Sequence, residues 1–326
     1  MKFRLPTKLA FLIILLVAIA AISIHPTAAP VKAQGGLSEE QLALLERIVN
    51  AINMVDDYTS YVNTESSTLA LNGSVALAGF TQEIVQSQQL DKTTTYVLGD
   101  NPNALVVATY TSETNQEGGT IASYTVDAEA RYVDGVLYVN ITPVDGDVSE
   151  RALPEGWVEV EDVTTYEIFD DIGLDRILER VGAIEADPAN QSPLKNLELL
   201  EKIVQDVIVE ETTLEDGSTV NVFTLTIDFV DLISEAPDAF GGDSNSAAQG
   251  LFNAFEGQSV EATIILDAED NPLAYALSFE GELVDLDASV LSSSLAGATL
   301  NLSFVFSQTS ELSQVNEAIE PVATPE

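Results

Sequence analysis

Residues Tyr132–Ile141 read YVDGVLYVNI. An Asp-Gly pair stands between two apolar, β-branched runs. This is the strongest short-range hairpin signal, because a type I′ turn needs positive φ at both central positions and Gly supplies it without steric cost. A two-residue loop at Asp134-Gly135 pairs Val133 with Val136, Tyr132 with Leu137 and Arg131 with Tyr138. Parity then sets Tyr124, Val126, Ala128, Ala130 and Tyr132 on one face with Leu137, Val139 and Ile141. Asp127, Glu129, Arg131 and Val133 share the other face with Val136, Tyr138 and Asn140. The first face is predicted to turn toward a core or cavity. Tyr138 is predicted to lie outside, close enough to Arg131 for a cation–π contact.

Period-two runs continue on both sides of this hairpin. STLALNGSVALAG (from Ser66), TTTYVLG, ALVVATYTSET, GTIASYTVDAEARYV and GWVEVE are followed, after a helical interlude, by VIVEETT, VNVFTLTIDF, SVEATIILDA, PLAYALSFEGELVDL and ATLNLSFVF. Turn signals separate them at Asp100-Asn101-Pro102, Gly118-Gly119, Pro154-Glu155-Gly156, Glu215–Ser218 and Glu269–Asn271. Strands joined this closely are antiparallel neighbours. About eleven strands in one sheet are too many to stay flat, so the sheet curls and its concave face needs a cover. Four helices are predicted. Ser38 and Gln41 form a capping box ahead of Leu42, Leu45, Val49, Ile52 and Val55, a stripe running to about Asp56. Leu174, Ile177, Leu178 and Val181 make a second stripe. Ser192 caps a third helix with Pro193 at its first position and Leu197, Leu200 and Val204 on its buried side. A short fourth helix is read over 246–255. The fold class is therefore α+β: one large curved antiparallel sheet, a half-barrel, with helices over its concave face.

Strand parity is the informative feature for function. Phe223, Leu225, Ile227 and Phe229 point one way, as do Leu273, Tyr275, Leu277, Phe279 and Leu283, and Leu300, Leu302, Phe304 and Phe306. The opposite parity is mostly Thr, Ser, Asn, Asp, Glu and Ala, giving one greasy and one wet face. Two readings stay open: the helices fill the greasy face completely, or the helices, few and short, leave a cavity for something apolar. On the second reading the ligand contacts are Tyr124, Val126, Tyr132, Leu137, Val139, Phe223, Leu225, Ile227, Tyr275, Leu277, Phe279, Leu302 and Phe304.

The N-terminus separates from the rest. Lys2, Arg4 and Lys8 precede an apolar run from Leu9 to Ile24, and Val31-Lys32-Ala33 supplies small residues for cleavage after Ala33. This reads as a secretory signal peptide over 1–33, or as an uncleaved anchor, followed by one domain over 34–319 and a disordered tail over 320–326. All 53 acidic residues lie beyond the signal and four of the 12 basic ones lie within it, so the exported part carries 8 − 53 = −45. That charge repels nucleic acid and anionic membrane surfaces and keeps the chain soluble.

There is no Cys, hence no disulfide and no lipobox cysteine, and the one His, His25, lies in the signal. A Ser-His-Asp triad, a Cys-His dyad and a His- or Cys-based zinc site are thereby excluded from the exported part. A metal site would have to be all-oxygen, for calcium or magnesium. Ser192-Pro-Leu-Lys195 matches S-x-x-K, but S-D-N and K-T-G are missing and Ser192 already serves as a cap. Acidic clusters such as Asp145/Asp147 and Asp267/Glu269/Asp270 read as turn chemistry. No catalytic residue, cofactor or metal is predicted.

The order of features resembles the LolA/LprG-type superfamily of exported carriers, which includes the LppX/LprG-type lipid-binding lipoproteins. The resemblance rests on the amphipathic helix leading into a long first strand (Leu37 to Ala78), the stretch RYVDGVLYVN…LPEGWVEV, a helix pair, and the closing SFVFSQTSELSQVNEAIEPVA with Asn316, Ile319 and Pro321. It implies a non-catalytic monomer that holds a lipid or acylated ligand between sheet and helices. It also implies a transient contact with a membrane or membrane protein, outside the cytoplasm. The other reading is a cell-surface structural or protein-interaction module with a filled core and no ligand.

Overall fold

The computed structural model describes residues 37–77, 80–116, 119–146, 148, 153–185, 192–214, 217–235, 255–288, 297–320 and 322–325. The signal segment and most of the helix read over 246–255 lie outside them.

The chain enters through α1 (Glu39–Met54). Ser38 and Gln41 cap it reciprocally: the Gln41 amide donates to Ser38 Oγ at 3.2 Å and the Ser38 amide to Gln41 Oε1 at 2.9 Å, satisfying two orphan donors of the first turn. Its buried stripe is Leu45, Ile48, Val49 and Ala51. A 3₁₀ turn (Val55–Asp57) leads into a meander of six strands: β1 (Ser60–Leu77), β2 (Phe80–Val97), β3 (Asn103–Gln116), β4 (Gly119–Val133), β5 (Val136–Gly146) and β6 (Val158–Val160). Then come α2 (Glu167–Asp171), α3 (Leu174–Arg180) and α4 (Leu197–Ile203). A second meander follows: β7 (Val204–Thr213), β8 (Thr219–Asp228), α5 (Phe229–Glu235), β9 (Ser259–Leu266), β10 (Pro272–Asp287) and β11 (Thr299–Ser313).

Among the described residues, eleven strands form one antiparallel sheet in the order β6-β5-β4-β3-β2-β1-β11-β10-β9-β8-β7. The two meanders join where the first strand pairs with the last, from Val62 opposite Ser313 to Ala76 opposite Thr299. The architecture is the expected α+β curved sheet with helices on its concave face. The Asp134-Gly135 hairpin has the expected register, with φ of 52° and 84° at its two turn residues, as a type I′ turn demands.

Four local expectations are corrected. The first strand begins at Ser60, not Ser66. The second runs from Phe80, thirteen residues ahead of Thr93, because Gln82, Gln86, Gln88, Lys92 and Thr94 interrupt the apolar residues of its inward parity. The helix expected from Ser192 is two elements, a 3₁₀ turn (Pro193–Lys195) capped by Ser192 and α4 capped by Asn196, whose extended φ of −112° breaks the helix; Val204 already belongs to β7. Phe229 does not continue β8. It opens α5, whose first turn is capped by Asp228 Oδ1 accepting from the Asp231 amide at 2.9 Å.

The predicted Arg131–Tyr138 cation–π pair is also absent. Arg131 stands opposite Tyr138 in the ladder, but its guanidinium lies 4.9 Å from the Trp157 ring centroid and pairs with Glu129 at 2.6 Å. Trp157 precedes β6, which pairs with β5 and offers the larger π face. Arg131 Nη1 also donates to the Ala323 carbonyl, so part of the segment read as a frayed tail touches the sheet.

Candidate functional site

The concave face carries two separate apolar clusters. The first joins Phe223, Leu225 and Ile227 of β8, Phe279 and Leu283 of β10, and Leu300, Leu302, Phe304 and Phe306 of β11 to α1, α4, α5 and Phe255. Phe279 and Phe304 sit with ring centroids 3.8 Å apart. Gly281 makes that approach possible: a Cβ there would stand 2.6 Å from the Phe279 ring and 2.7 Å from that of Phe304. The second joins Tyr61, Tyr96, Tyr110 and Tyr124, the inward alanines Ala104, Ala108, Ala128 and Ala130, and Val126, Leu137 and Val139 to α2 and α3.

The thirteen predicted ligand contacts are therefore not brought together in one place. Tyr124, Val126, Tyr132, Leu137 and Val139 belong to the second cluster, and the other eight to the first. Ten are buried; Tyr132, Tyr275 and Leu277 stay half-exposed. A cleft of about 440 Å³ opens at the end of β5 between Ile141, Pro143, Val148, Leu153 and Pro154, and none of the thirteen lines it.

Between the clusters runs a seam of polar side chains that the sequence reading missed. One rung of the sheet sets Tyr275, Ser310, Glu65, Lys92 and Ala108 side by side across β10, β11, β1, β2 and β3. The rungs on either side are Leu277, Gln308, Ser67 and Leu90, and Leu312, Asn63 and Thr94. Lys92 Nζ lies 3.1 Å from Glu65, and these side chains are only 11% and 14% exposed. Gln308 Nε2 donates to Glu65 Oε1 at 2.9 Å, and Ser310 Oγ to Asn63 Oδ1 at 2.5 Å. Burial first, and the Glu65 carboxylate second, push the Tyr275 hydroxyl up to about 12, against the Ser310 hydrogen bond and the Arg176 charge. Burial likewise raises Tyr61 and Tyr96, although Arg180, which donates to Tyr61 Oη at 2.9 Å, pulls both down. Thr94 is 1% exposed and its Oγ1 has no hydrogen-bond partner, which calls for a water or a ligand atom.

Helix α3 stands along this seam. Leu174, Ile177 and Leu178 face the second cluster, while Gly173, Arg176 and Arg180 follow one another along one edge. Lys92 Nζ donates to the Ile172 carbonyl at 3.5 Å, at the start of that edge. Arg180 reaches Asp56 at 2.9 Å and the Val55 carbonyl at the other end, and Lys195 reaches Asp56 at 2.7 Å. Asp56 thereby ties the two helix groups across the seam. Among the described residues no group of three or more His, Cys, Asp or Glu could hold a metal ion, and no helix is long and apolar enough to cross a membrane.

The seam was hard to find because β2 is polar at most positions of both parities, so it reads as wet on either side. Only the pairing with β1 and β3 shows that Gln86, Lys92 and Thr94 face inward. One signal was available: Lys92 is among only eight basic residues beyond residue 33.

Comparison by sequence finds no matching family and no matching characterised protein. Among solved structures, the lipoprotein LppX of Mycobacterium tuberculosis is similar over 87% of this chain and 99% of its own, at 11% identity and a TM-score of 0.30. A DUF1329-family protein from Desulfovibrio piger is similar over 86% of this chain and 95% of its own, at 9% identity and a TM-score of 0.17. A β-barrel-like DUF1849 protein from Brucella abortus is similar over 79% and 99%, at 9% identity and a TM-score of 0.16. At these low TM-scores the function has to rest on this chain's own geometry.

Proposed function

We propose that the chain is an exported, non-catalytic binding protein for a lipid or other acyl-chain ligand, held on the concave face between sheet and helices. The observation that carries the reading is the half-exposure of Tyr275 and Leu277 on the greasy face, opposite the hydrogen-bonding Ser310 and Gln308 of β11. Apolar surface next to a few convergent polar groups is what an amphiphile needs. Burying its chain there supplies about 25 cal/mol per Å² with no covalent step. The ligand contacts thus contract from thirteen residues to Tyr275, Leu277 and the seam. The proposal includes removal or retention of the N-terminal apolar segment as a signal, with the rest outside the cytoplasm.

A second reading, a surface module with a filled core, is favoured by the ten predicted contacts that helices or neighbouring strands already bury. Native mass spectrometry of the purified protein separates the two. Co-purifying acyl-chain mass, or saturable uptake of a fluorescent fatty acid, is expected. A clean apo mass with no uptake overturns the binding reading in favour of the module.

A further inference from the structure

We propose that the outer edge of β7 is a docking site for an extended, basic segment of a partner protein, which adds to the sheet as a further strand. Among the described residues the sheet has two edges, β6 and β7. They differ in how they are protected. β6 is three residues long, and where β5 outruns it Pro143 stands in the strand and cannot donate to a neighbour. β7 runs for ten residues, VQDVIVEETT, with no Pro and no Lys. Its register shift lies at its start, between Val204 and Asp206. That first part is packed against α1, with Val204 and Val207 buried and Asp206 Oδ1 accepting from Gln41 Nε2 at 2.7 Å. From Ile208 to Thr213 every residue is exposed, and among the described residues β8 is the sole strand that pairs with it.

The hairpin that ends β7 fixes which backbone groups are free. The Leu214 amide donates to the Ser218 carbonyl at 2.9 Å, so these two residues form a hydrogen-bonded pair. Alternation then turns the N–H and C=O of Ile208, Glu210 and Thr212 toward β8, and those of Val209, Glu211 and Thr213 outward. Beside these outward groups lie Ile208, 48% exposed, and Val209, 37% exposed, the one adjacent pair of exposed large apolar residues among those described. An edge that is long, regular and apolar is a template for another strand.

Charge selects the occupant. Glu210 and Glu211 follow the apolar pair, one on each face of the sheet. From Ile203 to the end the chain has no Lys, Arg or His against 23 Asp and Glu, so the second meander offers these acids no cation. A second copy brings the same acids: antiparallel pairing centred on Ile208 sets Asp206 opposite Glu210, between molecules that each carry 8 − 53 = −45. A basic strand gains what a second copy loses. Lys or Arg falls opposite Glu210 and Glu211, apolar residues fall opposite Ile208 and Val209, and the backbone of Val209, Glu211 and Thr213 supplies the hydrogen bonds. The edge lies three strands from Tyr275 and needs no acyl ligand.

The test uses the exported protein and the blocked peptide Thr-Thr-Lys-Lys-Val-Ile-Thr, whose lysines fall opposite Glu211 and Glu210 in an antiparallel pairing. Calorimetry gives the affinity and amide hydrogen exchange gives the place. Bound peptide should slow exchange at Val209, Glu211 and Thr213 by about tenfold or more and leave Ile208 and Glu210, already bonded to β8, unchanged. Methylating the peptide amides that face Val209, Glu211 and Thr213 should weaken binding by about tenfold or more, while methylating the alternate set should leave it within about threefold. Glu210→Lys with Glu211→Lys should abolish binding without lowering the melting temperature. Binding that leaves those three amides unprotected, or an equal loss from both methylated peptides, is attraction by charge alone and overturns the edge site. Absence of binding at about 1 mM peptide overturns it too. Protection of the same amides in the protein by itself, rising with its concentration, assigns the edge to a second copy instead.

Discussion

On the β7–β11 side, four phenylalanines close the core: Phe229, Phe255, Phe279 and Phe304, with ring centroids 3.8 to 6.2 Å apart. On the β2–β5 side the same task falls to tyrosines and to a lattice of alanines at 104, 108, 128 and 130, which lets α2 and α3 come down close to the sheet. Phenylalanine brings no polar atom, so the first core can be sealed without hydrogen bonds. Tyrosine brings a hydroxyl that needs a partner when buried. The polar seam accordingly starts on the tyrosine side, through Tyr61 and Arg180, and ends at Tyr275, the one seam tyrosine on the phenylalanine side.

The comparison predicts opposite sensitivities. Truncating Phe279 to Ala empties the centre of a ring cluster and should cost about 3–5 kcal/mol in urea unfolding. On the other side there is little to truncate and the damaging change is enlargement. Ala128→Leu should cost about 1–3 kcal/mol by lifting α2 and α3 off the sheet. If Phe279→Ala costs under 1 kcal/mol, the first core is loose enough to admit a ligand, and the contrast between the two sides disappears.

How much of this was legible follows the same division. The phenylalanine side announces itself: Phe223, Leu225 and Ile227, then Leu300, Leu302 and Phe304, alternate with polar residues, and every one of them is buried as the parity requires. The hairpin at Asp134-Gly135 was equally plain, because turn chemistry fixes register locally. The seam was not legible. Glu65, Lys92, Gln308 and Ser310 come from three strands far apart in sequence, and each sits in a stretch whose other parity is also polar. Hydrophobic alternation marks which side of a strand is inside only where the inside is apolar. For that reason Phe80–Lys92 was missed as strand and the candidate contacts were spread over two clusters.

The Glu65–Lys92 pair tests whether the seam is there for stability. Removing one partner, as in Lys92→Met, should cost about 3 kcal/mol, because it strands a mostly buried carboxylate. Removing both, as Glu65→Leu with Lys92→Met, should recover most of that loss. A double variant of full stability that no longer takes up a fluorescent fatty acid would locate the value of the pair in binding. A double variant as weak as the single one would make it a structural pair.

The tyrosines give the seam a signature in alkali. Tyr61, Tyr96 and Tyr275 all titrate above the ordinary tyrosine value in the folded protein. A raised folded value favours the protonated form, so this stabilisation is complete below about pH 10, the unfolded tyrosine value, and is lost as pH rises through the folded one. The melting temperature should therefore fall steeply from about pH 10 upward, with tyrosinate absorbance rising in step with unfolding. Y275F should soften the fall between pH 10 and about 12. Tyrosinate absorbance that appears at ordinary pH with the fold intact would mean the seam is open to solvent.

The smallest expected effect concerns the tie between the two sides. Asp56 accepts from Arg180 of the tyrosine side and from Lys195 beside the phenylalanine side, and its side chain is 50% exposed. Exposed pairs are screened and contribute little, so Asp56→Asn should cost about 0.5–1 kcal/mol, shrinking further in molar salt. Its effect on exchange should be more local than its effect on stability. With the tie cut, the amides of α3 lose protection before those of β8 and β10, because α3 rests on the alanine surface while α1, α4 and α5 stay anchored by the phenylalanines. Uniform loss of protection across both helix groups would show instead that the two cores open as one unit, and that the seam is an interior feature and not a boundary between them.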